Sequence, residues 1–370
     1  GDLRERASGS ADAPLAPPPR LRVPRLARVT ASAAARRRPP AVSPERCAEI
    51  LSRYGLTLDR PPANIPFGRR NHNVIVTTPA GRKVLRRYRA ITAPGSIAHE
   101  HAVLTELEQR DFPAVRLERT TTGDTVVADA GQHYALFAFE DGANLTSSVL
   151  PGRSTRARIL TTAGGALARL HRELADFTPQ IAHHLGYDPA SDEPNHRLGW
   201  YLDALAELPA RDPARSATDR DHHRVLAARS AQLATRLAEL HDRLEQAALP
   251  RVMIHGDYGV HNLLFRGDGT AVVADFELAR REWRLIDLII VLSRIPVDRG
   301  RAFVAGYRRR EAIADGEWRH LADVWQYYRL TGAVQSWCNH FTHGGEQRLA
   351  TARARVAEAD RVRAQVGLPW

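Results

Sequence analysis

Residues 251–280 read RVMIHGDYGVHNLLFRGDGTAVVADFELAR, an apolar run with polar side chains at fixed intervals. Leu263, Leu264 and Phe265 precede Gly267-Asp268-Gly269, and Ala271, Val272, Val273 and Ala274 follow. Two apolar runs joined through an Asp-Gly pair predict a β-hairpin. With Asp268 and Gly269 as a two-residue turn, Leu263 is expected to face Ala274, and Asn262 to face Asp275. Opposed side chains on one face lie roughly 5 Å apart at Cβ, which lets an amide oxygen and a carboxylate share a Mg2+ at about 2.1 Å from each. Asp257 precedes Asn262 in the turn that enters the hairpin, beside that pair without being part of it.

The order His255-Gly256-Asp257-Tyr258-Gly259-Val260-His261-Asn262, then Asp275-Phe276-Glu277, follows the kinase pattern His-Arg-Asp-x4-Asn and Asp-Phe-Gly, with Gly after the His and Phe-Glu after the second Asp. In these departures it resembles the aminoglycoside phosphotransferase superfamily, which includes type II homoserine kinases, choline kinases and antibiotic kinases and shares the protein-kinase-like fold. The resemblance covers roughly residues 60–335. It implies an α+β, bilobal fold, with a small antiparallel β-sheet N-lobe plus helix over 41–140 and a larger, mainly helical C-lobe over 141–370. It also implies that Asp257 orients and deprotonates an acceptor hydroxyl, that Asn262 and Asp275 hold Mg2+, and that ATP or GTP supplies the phosphoryl group.

Upstream residues fit the same plan. A helix capped by Ser43 is expected to end at Gly55. Phe67-Gly68-Arg69-Arg70-Asn71-His72-Asn73 precedes a strand and resembles the superfamily's nucleotide loop, which makes Gly68 and Asn71 candidate phosphate contacts. After a turn at Pro79-Ala80-Gly81, the strand Lys83-Val84-Leu85-Arg86 ends in Arg where protein kinases carry the phosphate-binding Lys. Strand side chains alternate faces, so Lys83 and Arg86 point in opposite directions. Arg86 shares a face with Val84 and is expected to pair with Glu100, which falls among Ile97, Leu104 and Leu107 on the inward side of the next helix and needs a cation there. Strands are expected over 124–128 and 133–139. Phe139-Glu140-Asp141-Gly142 then reads as the hinge between lobes, where backbone groups at Phe139 and Glu140 meet adenine and Phe137 or Phe139 packs on the ring.

In the second lobe, Ile159, Ala163, Leu167, Leu170, Leu174 and Phe177 mark an amphipathic helix, with His171 as a hydrogen-bonded core histidine. Residues 178–215 read as irregular, and their Tyr187, Asp192, Glu193, Trp200 and Tyr201 are candidates for an acceptor pocket. One long helix is expected over 217–246, and helices over 317–334 and 346–366. Asp287, inside the apolar run Leu285–Ile290, needs local donors; by resemblance it ties down the catalytic loop.

A chain of 370 residues with 43% hydrophobic content is long and apolar enough for two lobes with real cores. Cys47 and Cys338 are too few for a disulfide framework or a thiolate metal site. No apolar run approaches the roughly 18 residues of a membrane span, so the expected compartment is the cytoplasm. The net charge of +11 is uneven: residues 1–40 hold nine Arg against Asp2, Glu5 and Asp12, a net of +6. This Pro-, Ala- and Arg-rich stretch reads as a disordered tail. Lys83 is the only lysine among 53 basic residues, which looks like coding bias rather than a surface for nucleic acid. A metal-dependent hydrolase on His255, Asp257, His261 and Asp275 is disfavoured, because the two His are not at i and i+4 of one helix. The expectation is an O-phosphotransferase acting on a small-molecule hydroxyl: an amino alcohol, a homoserine-like metabolite, or an aminoglycoside or other antibiotic. A kinase for peptide Ser or Thr, and a silent nucleotide-binding relative, are the alternatives.

Overall fold

Ser43 caps the first helix, α1 (Pro44–Ser52), accepting from the Arg46 amide at 3.2 Å, with Pro44 at the first helical position and Gly55 in a left-handed turn beyond its end. The computed structural model describes residues 42–65, 71–90, 92, 94–144, 153–180, 194–213, 216–343 and 347–364. The expected tail, Gly68, Tyr187, Asp192 and Glu193 lie outside the described residues.

Strands β1 (Arg60–Asn64), β2 (His72–Thr78) and β3 (Gly81–Arg87) are followed by α2 (Pro94–Gln109), then β4 (Val127–Asp129) and β5 (Gln132–Ala138). They form an antiparallel sheet in the order β1-β2-β3-β5-β4. Alternation gives it two apolar faces. Val74, Val76, Leu85 and Leu136 pack with Cys47, Ile50 and Leu51 of α1, whereas Ala135 and Phe137, with Val84 at the edge, pack with Ile97, Leu104 and Leu107 of α2 in the main core.

The second lobe comprises β6 (Ala143–Asn144), α3 (Arg153–Glu173), α4 (Pro194–Glu207), α5 (Ala217–Ala227), α6 (Ser230–Gln246), β7 (Arg251–Ile254), β8 (Leu263–Phe265), β9 (Ala271–Val273), β10 (Arg280–Trp283) and α7 (Leu285–Leu292), followed by α8 (Val297–Arg308), α9 (Asp315–Trp318), α10 (Leu321–His343) and α11 (Arg348–Ala364). The stretch expected to be irregular contains α4, whose Tyr201 and Leu205, with Leu208 just beyond, are buried at helical spacing before Pro209. The single helix expected over 217–246 is two helices, broken at Ala228-Arg229. Neither residue is a helix breaker; the turn follows from packing, because α5 lies against α11 and α6 against α4 and α10. Trp283 ends a strand paired with β7, two residues before α7 begins.

The hairpin is present, but its register differs from the expected one by one residue. Leu263 faces Val273, Leu264 faces Val272 and Phe265 faces Ala271. The loop has three residues, 267–269: the Gly269 amide donates to Arg266 O at 3.0 Å, Arg266 N to Thr270 O at 2.9 Å, and Gly269 takes φ +91°. Asn262 therefore lies opposite Ala274, whose amide donates to Asn262 O at 2.9 Å. The hairpin is also the junction of the lobes. Residues after the hinge pair with it through β6 and β8, and the segment after α2 brackets it through Val115 N to Val273 O and Val273 N to Pro113 O.

Candidate active site

β7 delivers the chain into His255-Gly256-Asp257, and buried groups hold that turn in place. Asp287, fully buried in the first turn of α7, accepts from the backbone amides of His255 at 2.7 Å and Gly256 at 2.9 Å. Its Oδ2 also meets His171 Nε2 at 3.1 Å, and His171 Nδ1 meets the Tyr307 hydroxyl at 2.8 Å. Burial works to raise the Asp287 carboxyl, but His171 and His255 overcome it and hold it below the usual carboxylate range. His171 is thus the hydrogen-bonded core histidine expected. Gly256 has φ +80°, and a Cβ there would sit 2.2 Å from Leu278 O, which explains why a protein-kinase Arg cannot stand at this position. His255 accepts from the Asp257 amide through Nδ1 at 3.2 Å, which leaves Nε2–H to donate to Ala274 O at 3.0 Å.

That last contact links the His255-Gly256-Asp257 turn to the residue before Asp275. Asn262, ending a 3-10 turn, donates from Nδ2 to Asp257 O at 3.0 Å. This orients its amide and leaves Oδ1 as a hard oxygen donor. Asp275 has φ +69°, uncommon for a non-glycine residue, so its carboxylate leaves the strand direction altogether. The cross-strand pairing expected of Asn262 and Asp275 is replaced by a turn on each side of the hairpin ends. Among the described residues no cluster of three or more His, Cys, Asp or Glu could hold a metal. An amide oxygen and one carboxylate do fit Mg2+, which commonly takes only one or two carboxylates and completes its shell with phosphate and water oxygens.

The upper wall comes from β3 and α2. Arg86 Nη1 donates to Glu100 Oε1 at 2.9 Å, Nε to Asn73 Oδ1 at 3.2 Å, and Nη2 lies 3.4 Å from Asp275 Oδ1. Glu100 is 2% exposed, and the Tyr88 hydroxyl donates to its Oε2 at 3.0 Å. Lys83 turns to the opposite face and pairs with Glu118. Asn71 donates to Glu277 Oε2 at 2.8 Å. At the hinge, Arg266 grips Glu140 with two hydrogen bonds, at 2.5 and 2.7 Å, which engage both oxygens of the carboxylate. The Arg82 guanidinium lies 4.0 Å from the centre of the Phe139 ring and is paired with Asp141. Phe137 is buried, with Arg86 5.0 Å from its ring centre.

Residues 63–323 match the model of the phosphotransferase enzyme family. The chain belongs to this family. As the family and fold together indicate, it is a small-molecule O-phosphotransferase with the bilobal protein-kinase-like fold. The homoserine kinase of Caulobacter sp. (strain K31) is 26% identical over 289 residues, covering 75% of this chain and 80% of that one. Among solved structures, a microcompartment-associated aminopropanol kinase matches with TM-score 0.61 and 20% identity, covering 86% of this chain and 97% of its own. Amicoumacin kinase hAmiN, in complex with AMP-PNP, Ca2+ and Ami, matches with TM-score 0.56 and 15% identity, covering 84% and 95%.

Two features of the phosphotransferase site escaped the sequence reading. Both oxygens of Asp257 are engaged: Oδ1 accepts from Arg294 Nη2 at 2.8 Å, and Oδ2 lies 3.4 Å from His261 Nε2. Burial works to raise the Asp257 carboxyl; the His261 hydrogen bond and the Arg294 charge outweigh it and hold it well below the usual carboxylate range. A signal for Arg294 existed, since it follows Asp287 by seven residues, close to two helical turns, just past the end of α7. Tyr88 offered no comparable signal, because its reach to Glu100 depends on the angle between α2 and the sheet.

Proposed function

We propose that the phosphotransferase moves the γ-phosphoryl group of ATP to the hydroxyl of a small acceptor, with Asp257, Asn262, Asp275 and Arg86 as its working residues. One contact carries the reading: Arg86 from the N-lobe lies 3.4 Å from Asp275 of the C-lobe, so the cation suited to phosphate oxygens and the carboxylate suited to the metal converge in one cleft. Arg86 offers a planar fork to the phosphates, and Glu100 and Asn73 restrict its direction. Asn262 Oδ1 and the Asp275 carboxylate would hold Mg2+, which when bound neutralises charge on the β- and γ-phosphates. Asp257 orients the acceptor hydroxyl and takes its proton as the new O–P bond forms and the bond to the β-phosphate oxygen breaks, leaving ADP. Both partners of Asp257 are cationic or polar side chains at the cleft, so the acceptor hydroxyl competes with them or takes a remaining lone pair of the carboxylate.

A fluorescence titration with ATP, with and without Mg2+, tests this for the wild type and for Asp275→Ala and Asn262→Ala. Mg2+-dependent binding is expected in the wild type, lost in Asp275→Ala and weakened less in Asn262→Ala, because a neutral amide contributes less charge. Equal Mg2+ dependence in all three would remove both residues from the metal site.

A further inference from the structure

The contact between Arg294 and Asp257 bears on the acceptor. An arginine placed 2.8 Å from a proton-accepting carboxylate occupies an acceptor site on one of its oxygens in the absence of substrate. Arg294 is about half exposed, so its charge is presented to the cleft rather than absorbed into the core. A second arginine stands near it. Arg355, from α11, bonds Ser336 Oγ at 3.0 Å and the carbonyl of Gly332 on α10. Among the described residues it has no carboxylate within ion-pair distance. The nearby Glu358 is instead taken by Arg329 Nε at 2.8 Å and by the Trp325 indole at 2.9 Å. Burial, with the like charges of Arg329 and Arg294, lowers the Arg355 pKa. Arg294 feels the like charge of Arg355, whose own attraction to Glu358 is shared with Arg329, so positive charge stands beside Asp257 for an anion to neutralise.

We infer that the acceptor is a short hydroxy acid whose carboxylate is bound by Arg294, with Arg355 within electrostatic reach of it, and whose arrival draws Arg294 from Asp257 as the hydroxyl takes the vacated oxygen. This inference rests on the phosphotransfer reading and specifies the substrate class of that site. The geometry limits the size of the acceptor. Arg294 and Asp257 are already in contact, and each substrate group adds one hydrogen bond of about 2.8 Å. Three such contacts in series, from hydroxyl to Asp257, Asp257 to Arg294 and Arg294 to carboxylate, keep the two substrate groups within roughly 8 Å on first contact, a span that suits a short acceptor. A cationic amino alcohol without a carboxylate would meet like charge here and would leave Arg294 on Asp257.

The test uses the full chain, Mg-ATP and three matched acceptors: homoserine, 4-hydroxybutanoate and 3-aminopropanol, the last being homoserine without its carboxylate. ADP release is expected with the first two at kcat/KM values about ten- to a hundredfold above the third, the scale of one charge-assisted pair. Arg294→Gln should erase that preference, mainly through a higher KM for the carboxylates, and Arg294→Lys should restore part of it. Both variants are first checked for wild-type circular dichroism and Mg-ATP affinity, and Arg355→Gln provides a second route to the same loss of preference. Equal or better use of 3-aminopropanol overturns the inference, and so does a preference that survives Arg294→Gln. Phosphorylation of none of the three by a protein that binds Mg-ATP also overturns it and leaves the phosphotransfer reading standing, whereas failure to bind Mg-ATP overturns that reading itself.

Discussion

Asp257 sits between Arg294 and His261, and its carboxyl stays ionised through the neutral range, so the group proposed to take the hydroxyl proton is ready before any substrate arrives. Asp257→Asn keeps the size of the side chain and removes only that capacity. Turnover should fall about 10²- to 10⁴-fold while ATP affinity changes little, and near wild-type ADP release with a genuine acceptor would contradict the role. Glu100 behaves in the opposite sense. Burial pushes its carboxyl from 4.5 up to about 7, and Arg86, pulling the other way, does not offset it. The folded chain therefore holds that proton more tightly than the unfolded chain. Its contribution to stability is fully present below about 4.5 and is lost as pH rises through about 7. Urea midpoints of the ligand-free protein at pH 5, 6.5 and 8 should show this loss, and Glu100→Gln should remove that part of the slope; an unchanged slope would locate the titration elsewhere.

At the scale of elements, β3 separates two cations by alternation alone: Lys83 meets Glu118 on one face and Arg86 meets Glu100 and Asp275 on the other. Arg86→Ala should raise the KM for ATP and lower turnover severely. Lys83→Ala should do little, because it removes a partly exposed pair of a kind worth about 1 kcal/mol or less. The reverse order in ATP affinity would require the upper wall of the cleft to be reassigned. The turn between β7 and the hairpin depends on Gly256, where a Cβ would come 2.2 Å from Leu278 O and φ is +80°. Gly256→Ala should cost at least about 1–3 kcal/mol of strain, read as a lower urea midpoint, and should reduce turnover further by displacing Asp257. A variant equal to the wild type in both would show that the turn relaxes freely. Alternation within β3 was legible in the sequence because it is a property of any strand. The hairpin register was not, because a two-residue and a three-residue loop share the same Asp-Gly signal and differ in which residue takes the left-handed conformation.

Across the whole molecule, the described site residues all lie beyond position 70, so removing residues 1–40 should leave ADP release and the urea midpoint unchanged; a fall in either would assign the segment a docking role. The lobes meet where the segment after α2, β6 and the hairpin pair with one another, and the cleft residues are drawn from both sides of that junction. Much of this was present in the chain as spacing: Asp257, Asn262 and Asp275 around a hairpin, Arg86 and Val84 on one strand face, and Glu100 among apolar neighbours on one helix face. Such statements need only local periodicity, which the backbone imposes wherever a strand or helix forms. The division of residues 217–246 into two helices and the helix over 194–207 depended on which distant elements offered an apolar surface. The placement of Arg294 on Asp257, and of Arg355 within electrostatic reach of it, likewise needed α10 and α11 to be brought to the end of α7. Sequence by itself determined the types and spacing of the reacting groups; tertiary packing alone decided which charges surround them, because contacts between residues far apart in the chain are set by how helices stack and not by any local rule.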